Sequence, residues 1–231
     1  MANQEVDISG IGLVTLVKHR RSRSLKISLQ PNGTVRVSLP MWAPYRAAIK
    51  FAESKRGWIE QHRQQPAILV SGQAIGKAHH LYLIPSARTL KVSARQQDST
   101  LRVQFPATLS ASSSEVQSVA RKLAVRALRA EAKRLLPSRL HELAARYNFT
   151  FKSVQIRQLK ARWGSCTHQQ DITLNLFLMQ LPWELIDYVL VHELCHTKHL
   201  HHGPDFWTEL ERAIPDAKRR RKAMRAHKPA I

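Results

Sequence analysis

The chain begins with a strand-type pattern. Between about Gly12 and Leu39, apolar and polar positions alternate: Leu25-Lys26-Ile27-Ser28-Leu29 keeps a period of two, and Val35-Arg36-Val37-Ser38-Leu39 resumes it after Pro31-Asn32-Gly33. Period-two runs flanking turn-forming residues predict a hairpin. Pro44 then opens a helical period to about Gln64, marked by Ala48, Phe51, Ala52, Lys55, Trp58 and Ile59. From Ile68 to Phe105 the pattern returns to short strands, among them Leu81–Ile84, Leu90–Val92 and Leu101–Val103. A serine-rich stretch, 109–114, marks a boundary, and Ser112 with Glu115 forms a capping-box signature. Val116, Val119, Ala120, Leu123, Ala127 and Leu128 give the following helix its apolar side, and Pro137 is expected to break or kink it before a second helix to about Tyr147. Strands are expected at Val154–Leu159 and Ile172–Leu178 around a turn at His168–Asp171, then a helix from Pro182 to at least His199. No internal repeat shows in the sequence. The pattern predicts an α+β fold: a strand-rich module over 1–108, a helical domain with a small sheet over 109–217, and a basic tail over 218–231.

Composition narrows the setting. Apolar residues are 43% of 231, enough for an ordinary core. Lys and Arg total 37 against 16 Asp and Glu, a net charge of +21. That charge predicts attraction to polyanions, so nucleic acid is a candidate partner through the basic surface and the tail. The densest clusters are Lys18–Arg23 and Lys218–Lys222. Aromatics at 6% advertise no stacking platform. Uncharged apolar stretches such as Tyr188–Val191 fall far short of a membrane span, and the first residues lack the basic flank and apolar core of a signal peptide. Two cysteines, Cys166 and Cys195, build no disulfide framework. A cytoplasmic protein without a membrane partner is expected.

Five of the twelve histidines fall between His192 and His202, and His192-Glu193-Leu194-Cys195-His196 reads H-E-x-x-H. On a helix, residues four apart lie about one turn apart on the same face, so both imidazoles can chelate one ion, and Zn²⁺ favours such ligands. Glu193 stands beside that face, where a general base for a metal-activated water belongs. The helix itself is supported by Pro182, by Glu184 and Asp187 near its start, and by Leu185, Ile186, Val189 and Leu190. A hydrolytic site takes a third protein ligand and keeps one position open. His199 lies about 10 Å along the helix from His192, too far to converge easily. His202, before the Gly203-Pro204 turn, is the choice for third ligand; its H-E-x-x-H-x5-H spacing matches that of metzincins. His201 is the runner-up. Both cysteines read as small apolar residues, with Cys166 open to redox chemistry, and Asp205 reads as either an orienting carboxylate or a helix-start acid.

The segments Arg162-Trp163-Gly164-Ser165-Cys166, Ile172-Thr173-Leu174-Asn175, His192–His196 and His202-Gly203-Pro204-Asp205-Phe206-Trp207 together resemble the YgjP-like metallopeptidase family. Arg20–Leu25, Pro31-Asn32-Gly33 and Lys55–Ile59 extend the likeness to the amino-terminal half. The family's zinc motif is similar to that of SprT-type and WLM proteases, which act on proteins trapped on DNA. The resemblance implies a zincin-like domain in which the motif helix packs beneath a small sheet with a substrate-pairing edge strand. It implies one Zn²⁺ on His192, His196 and His202, with Glu193 as catalytic acid/base. Arg162 and Asn175 are carried by the resemblance alone, as candidates for substrate or oxyanion contact; a structural salt bridge is the competing role for Arg162. The family also leads one to expect a glycine in the turn Thr167–Asp171, which this sequence lacks.

Three functions follow as expectations. The first is a zinc metallopeptidase acting on peptide or protein. The second is a nucleoside triphosphate (UTP) pyrophosphatase using the same metal, since some members of the family are described so. No Gly-rich phosphate loop accompanies it. The third is a non-enzymatic nucleic-acid-binding module with a structural metal, which an open three-histidine site disfavours.

Overall fold

The computed structural model describes residues 3–29, 34–62 and 67–231. The chain forms two compact units, divided between Ala67 and Ile68. The first holds strands β1 (Asn3–Ile8), β2 (Gly12–Lys18), β3 (Lys26–Leu29) and β4 (Val35–Leu39), then helices α1 (Tyr45–Ser54) and α2 (Arg56–His62). The expected hairpin is β3–β4, registered from Lys26 opposite Ser38 to Leu29 opposite Val35; its turn, Pro31-Asn32-Gly33, lies outside the described residues. Alternation buries Val35, Val37 and Leu39, which share a core with Val14, Leu16, Ala48, Ala52 and Ile59. The predicted single helix is two, because Lys55 leaves helical geometry and turns its N–H back to Ala52 O; residues 63–66 lie outside the described set.

The second unit begins with β5 (Ala74–Ile75), β6 (His79–Ser86), β7 (Ser93–Gln97) and β8 (Thr100–Pro106), which precede the 34-residue helix α3 (Ser114–Tyr147). Next come β9 (Ser153–Arg157), β10 (Gly164–Cys166), β11 (Asp171–Asn175) and a 3₁₀ turn at Leu176–Gln180, then α4 (Trp183–Cys195), α5 (Pro204–Ala213) and α6 (Ala217–Met224). The expected division at 108/109 therefore moves. Leu81, Leu83, Leu101, Val103 and Phe105 share one core with Leu123, Leu128, Leu190 and Leu194, so the β5–β8 sheet belongs with the helices that follow it. The expected strand at Leu90–Val92 is absent: Leu90 is 93% exposed and pairing begins at Ser93. The helix cap is Ser113 rather than Ser112; its hydroxyl accepts from Val116 N. Pro137 does not break the helix, which buries Leu136, Leu140 and Leu143 on either side of it. Tertiary packing outweighs the single backbone bond a proline removes. The expected tail is largely α6, with Ala217 and Met224 buried.

A topology repeats where the sequence does not. In each sheet one strand is followed by a hairpin whose second strand inserts between the first strand and its own partner. The resulting orders are β2-β4-β3, β6-β8-β7 and β9-β11-β10, with a parallel central pair each time. Each inserted strand alternates inward apolar residues: Val35/Val37, Leu101/Val103 and Ile172/Leu174. Each lies across from matching positions on its parallel neighbour: Val14/Leu16, Leu81/Leu83 and Val154/Ile156. In the second copy, α3 is tied to the β5–β6 turn by Glu131, a buried carboxylate that accepts twice from Lys77 N, at 3.0 and 2.9 Å. Gly76, at φ +69°, leaves the room this carboxylate occupies.

Candidate metal centre

Helix α4 is built to hold its side chains still. Leu185, Ile186, Val189, Leu190, Val191 and Leu194 are all buried, so its orientation is fixed by packing around most of its circumference. It ends at Cys195, earlier than the sequence suggests. His196 is the C-cap with its N–H on His192 O, Thr197 Oγ1 takes up Leu194 O at 2.8 Å, and His199 N reaches Cys195 O. Because the chain turns here, His202 can fold back. One ring nitrogen from each of His192, His196 and His202 lies within 4.8 Å of the others, and the Nε2 atoms of His192 and His202 are 3.0 Å apart. Neither His201, the runner-up, nor His199 joins the group by its ring. His199 contributes its carbonyl instead: it accepts from His196 Nδ1 at 3.0 Å, which fixes that tautomer and leaves Nε2 as the lone-pair donor. Phe206, fully buried, floors the cluster at 4.7–4.9 Å from all three rings.

Two of the three imidazoles are disposed against protonation by their surroundings. Burial holds His192 down to about 3, helped by His196, His202 and Arg221, and burial also lowers His196. Neutral imidazole is the ligand form. Three ring nitrogens brought together, and no fourth ligating side chain in the group among the described residues, fit a borderline divalent ion with an open position.

Glu193 is 5% exposed, and its Oε2 is buried with no hydrogen-bond partner. Burial pushes its carboxyl up to about 8, with Arg162 opposing. The carboxylate lies against β10: a Cβ built on Gly164 would stand 2.6 Å from Glu193 Oε1 and 2.8 Å from its Cγ. The glycine of Arg162-Trp163-Gly164-Ser165-Cys166 is thus the space Glu193 occupies, a role that sequence reasoning missed. Arg162 is exposed and acts on Glu193 by charge.

Asn175 is not at the metal group. It is fully buried, and Nδ2 donates to Leu159 O and Arg162 O, both at 2.8 Å, while Oδ1 accepts from Phe177 N at 3.2 Å. Every hydrogen-bonding site on the amide's nitrogen is committed to backbone, so its work is to shape the loop that carries Arg162 and Gly164. The missing turn glycine is replaced by Gln170 at φ +62°, whose Nε2 reaches Thr197 O at 3.2 Å. Cys195 is buried and its thiol is pushed up to about 12 by burial; the same cause lifts half-buried Cys166 to about 11. Cys195 fits the expected small apolar role, whereas Cys166 donates its thiol to Thr167 O at 3.4 Å. Asp205 lies in the first turn of α5, the simpler of its two expected roles.

The family model described as YgjP-like, metallopeptidase domain matches residues 23–227. The metallopeptidase zymogen abylysin of Pyrococcus abyssi is similar over 40% of this chain and 94% of its own, at 27% identity and a TM-score of 0.36. The zymogen jannalysin of Methanocaldococcus jannaschii covers 39% and 93%, at 21% identity and a TM-score of 0.35. No curated protein matches the sequence. With the family model matching residues 23–227, across both units, the chain belongs to the YgjP-like metallopeptidase family.

Proposed function

We propose that the protein is a zinc-dependent peptidase whose single metal ion is held by His192, His196 and His202. The observation that carries this reading is the convergence of three imidazoles beside a buried, unpartnered carboxylate oxygen. When bound, zinc supplies Lewis-acid polarisation of a carbonyl and brings a water's pKa toward ~7. Glu193 takes the proton of the attacking water at its carboxylate and returns it to the leaving amine nitrogen. Its raised pKa, near neutrality, suits a group that must both accept and donate. The protein walls around Glu193 exclude bulk water from that carboxylate, and Arg162 offers positive charge on the same side.

The net charge has a specific place in this reading. Lys122, Arg126, Arg129 and Lys133 recur along one face of α3 over about 17 Å, and enter no ion pair with a described residue. On α6, by contrast, Lys218, Arg219 and Arg220 are paired with Glu211, Asp216 and Glu184. We propose that a polyanion partner binds along α3: changing its four residues to glutamine should flatten the salt dependence of duplex DNA binding, and an unchanged slope would remove α3 from the reading.

The activity test compares wild type with Glu193→Gln, both zinc-loaded, on an unstructured protein substrate and on UTP. The variant should keep zinc and lose protein hydrolysis about 10²–10⁴-fold. Wild-type turnover in the variant would refute the mechanism. Pyrophosphate release from UTP that disappears in the variant would move the same residues onto a phosphoanhydride substrate.

A further inference from the structure

The third histidine is the exposed member of the group, carried on the segment between α4 and α5. A side chain there loses rotamer freedom when it is fixed for a ligand, so something must hold it. Trp207 does so in two ways. Its ring stacks on that of His202, with centroids 5.7 Å apart and planes inclined by 29°, and its Nε1 donates to His202 O at 3.0 Å. Trp207 is in turn covered by a cation: the guanidinium carbon of Arg221, on α6, lies 4.5 Å from its ring centroid.

Helix α6 is not free to drift. Ala217 and Met224 are buried, Arg220 Nη1 donates to Glu184 O at 2.9 Å, and Arg220 Nε pairs with Asp216 at 2.7 Å. Glu184 lies in the first turn of α4, the helix that carries the other two histidines. The contacts therefore close a ring: α4 anchors α6, α6 carries Arg221, Arg221 covers Trp207, and Trp207 sets His202 against His192.

We infer that Arg221 and Trp207 are positioning residues that set His202 for metal binding, so that the carboxy-terminal basic helix is part of the metal centre's support. This rests on the metal-site reading above and adds two residues that ligand spacing does not reveal. Arg221 differs from its neighbours in its partner: Arg219 and Arg220 meet carboxylates, whereas Arg221 meets the aromatic ring beside the ligand.

The test is metal affinity, read without turnover. Zinc dissociation constants would be measured by competition with a chromophoric chelator, and Co²⁺-loaded protein by its visible absorption, for wild type, Arg221→Ala, Arg221→Lys, Trp207→Phe and Arg219→Ala. Arg221→Ala and Trp207→Phe should each weaken zinc about 10–100-fold and alter the cobalt spectrum, as loss of groups that orient a ligand does. Arg221→Lys should recover part of the loss, and Arg219→Ala should leave affinity unchanged. In a His202→Ala background, Arg221→Ala should add nothing. Wild-type affinity and spectrum in Arg221→Ala would overturn the inference. An equal loss with and without His202 would overturn it too, since Arg221 would then act through general stability. Wild-type protein that binds neither metal would refute the metal centre itself, and this inference with it, whereas tight wild-type binding with indifferent variants refutes only the positioning role.

Discussion

Replacing Gly164 by alanine puts the relation between β10 and Glu193 under direct test. The added methyl would stand 2.8 Å from Glu193 Cγ and 2.6 Å from Oε1. Ordinary carbon–carbon contact begins near 3.5 Å, so one partner must retreat by about 0.7 Å. Glu193 cannot swing away freely: at 5% exposure it is walled in, and the backbone of its helix is fixed by buried neighbours. The strand can give little, because β10 is registered on β11 through Gly164 opposite Leu174. Misplacing a reacting group by about 1 Å costs on the order of 10²-fold in rate, and overpacking costs about 1–3 kcal/mol in stability. Gly164→Ala should therefore bind zinc like wild type, unfold at lower urea concentration, and hydrolyse an unstructured protein substrate about 10²-fold more slowly. The loss should appear in kcat, since the three histidines are untouched. Full kcat in a folded, zinc-loaded Gly164→Ala protein would show that the position of Glu193 against β10 does not matter to the chemistry.

Two further outcomes follow from the same geometry. Asn175→Ala removes three hydrogen bonds from a fully buried amide and should cost about 2–3 kcal/mol in urea unfolding, together with activity; a loss under about 0.5 kcal/mol would mean the loop 159–163 holds itself. Metal-free protein should show opposed pH slopes. His192, lowered to about 3 from an ordinary 6.5, removes stability as pH falls below about 6.5, because the unfolded chain binds the proton that the folded one refuses. Glu193, raised to about 8 from 4.5, removes stability as pH rises from about 4.5 to 8, because the unfolded chain ionises first. Between about 6.5 and 8 Glu193 acts without His192, so metal-free Glu193→Gln should lose the decline in melting temperature that wild type shows across that window; an identical decline in both would assign it elsewhere.

The grouping of the candidate site's histidines was legible because it is written in local spacing. His192, Glu193 and His196 need only helical periodicity, and His202 needs only a turn, which Gly203-Pro204 announces. What sequence could not show is contact between distant segments. The end of α4 at Cys195 depends on Thr197 and His199 folding back onto helix carbonyls, and apolar periodicity alone runs past it. The family resemblance alone offered Asn175 as a substrate contact, yet its amide nitrogen donates to backbone carbonyls 13 and 16 residues earlier. The boundary at 108/109 followed a change of composition, whereas the core follows Leu101, Val103 and Phe105 onto the helix beyond it. The basic run at 218–222 looked like a tail because charge patterning carries no information on pairing; Asp216, Glu184 and Glu211 supply the partners.

The repeated strand-and-hairpin topology explains why the catalytic glutamate of this reading sits where it does. In all three copies the second hairpin strand is central and the first is an edge: β3, β7 and β10. Only the central strand must carry apolar residues, so the edge is free to vary. In the third copy the edge is reduced to Gly164, Ser165 and Cys166, and Gly164 sits opposite Leu174, a core residue. A side chain at Gly164 would occupy the volume of the Glu193 carboxylate, so the missing Cβ converts a packing position into a recess. Asn175, ending the central strand of that copy, then ties down the loop leading into the edge, fixing the recess from the opposite end. In this copy the fold contributes a notch in a sheet edge, and α4 fills it with a carboxylate whose second oxygen has no partner. A side chain at position 164 should therefore be tolerated only when residue 193 is shortened: Gly164→Ala should regain lost stability in a Glu193→Ala background, and a penalty that stays the same would separate the notch from the glutamate.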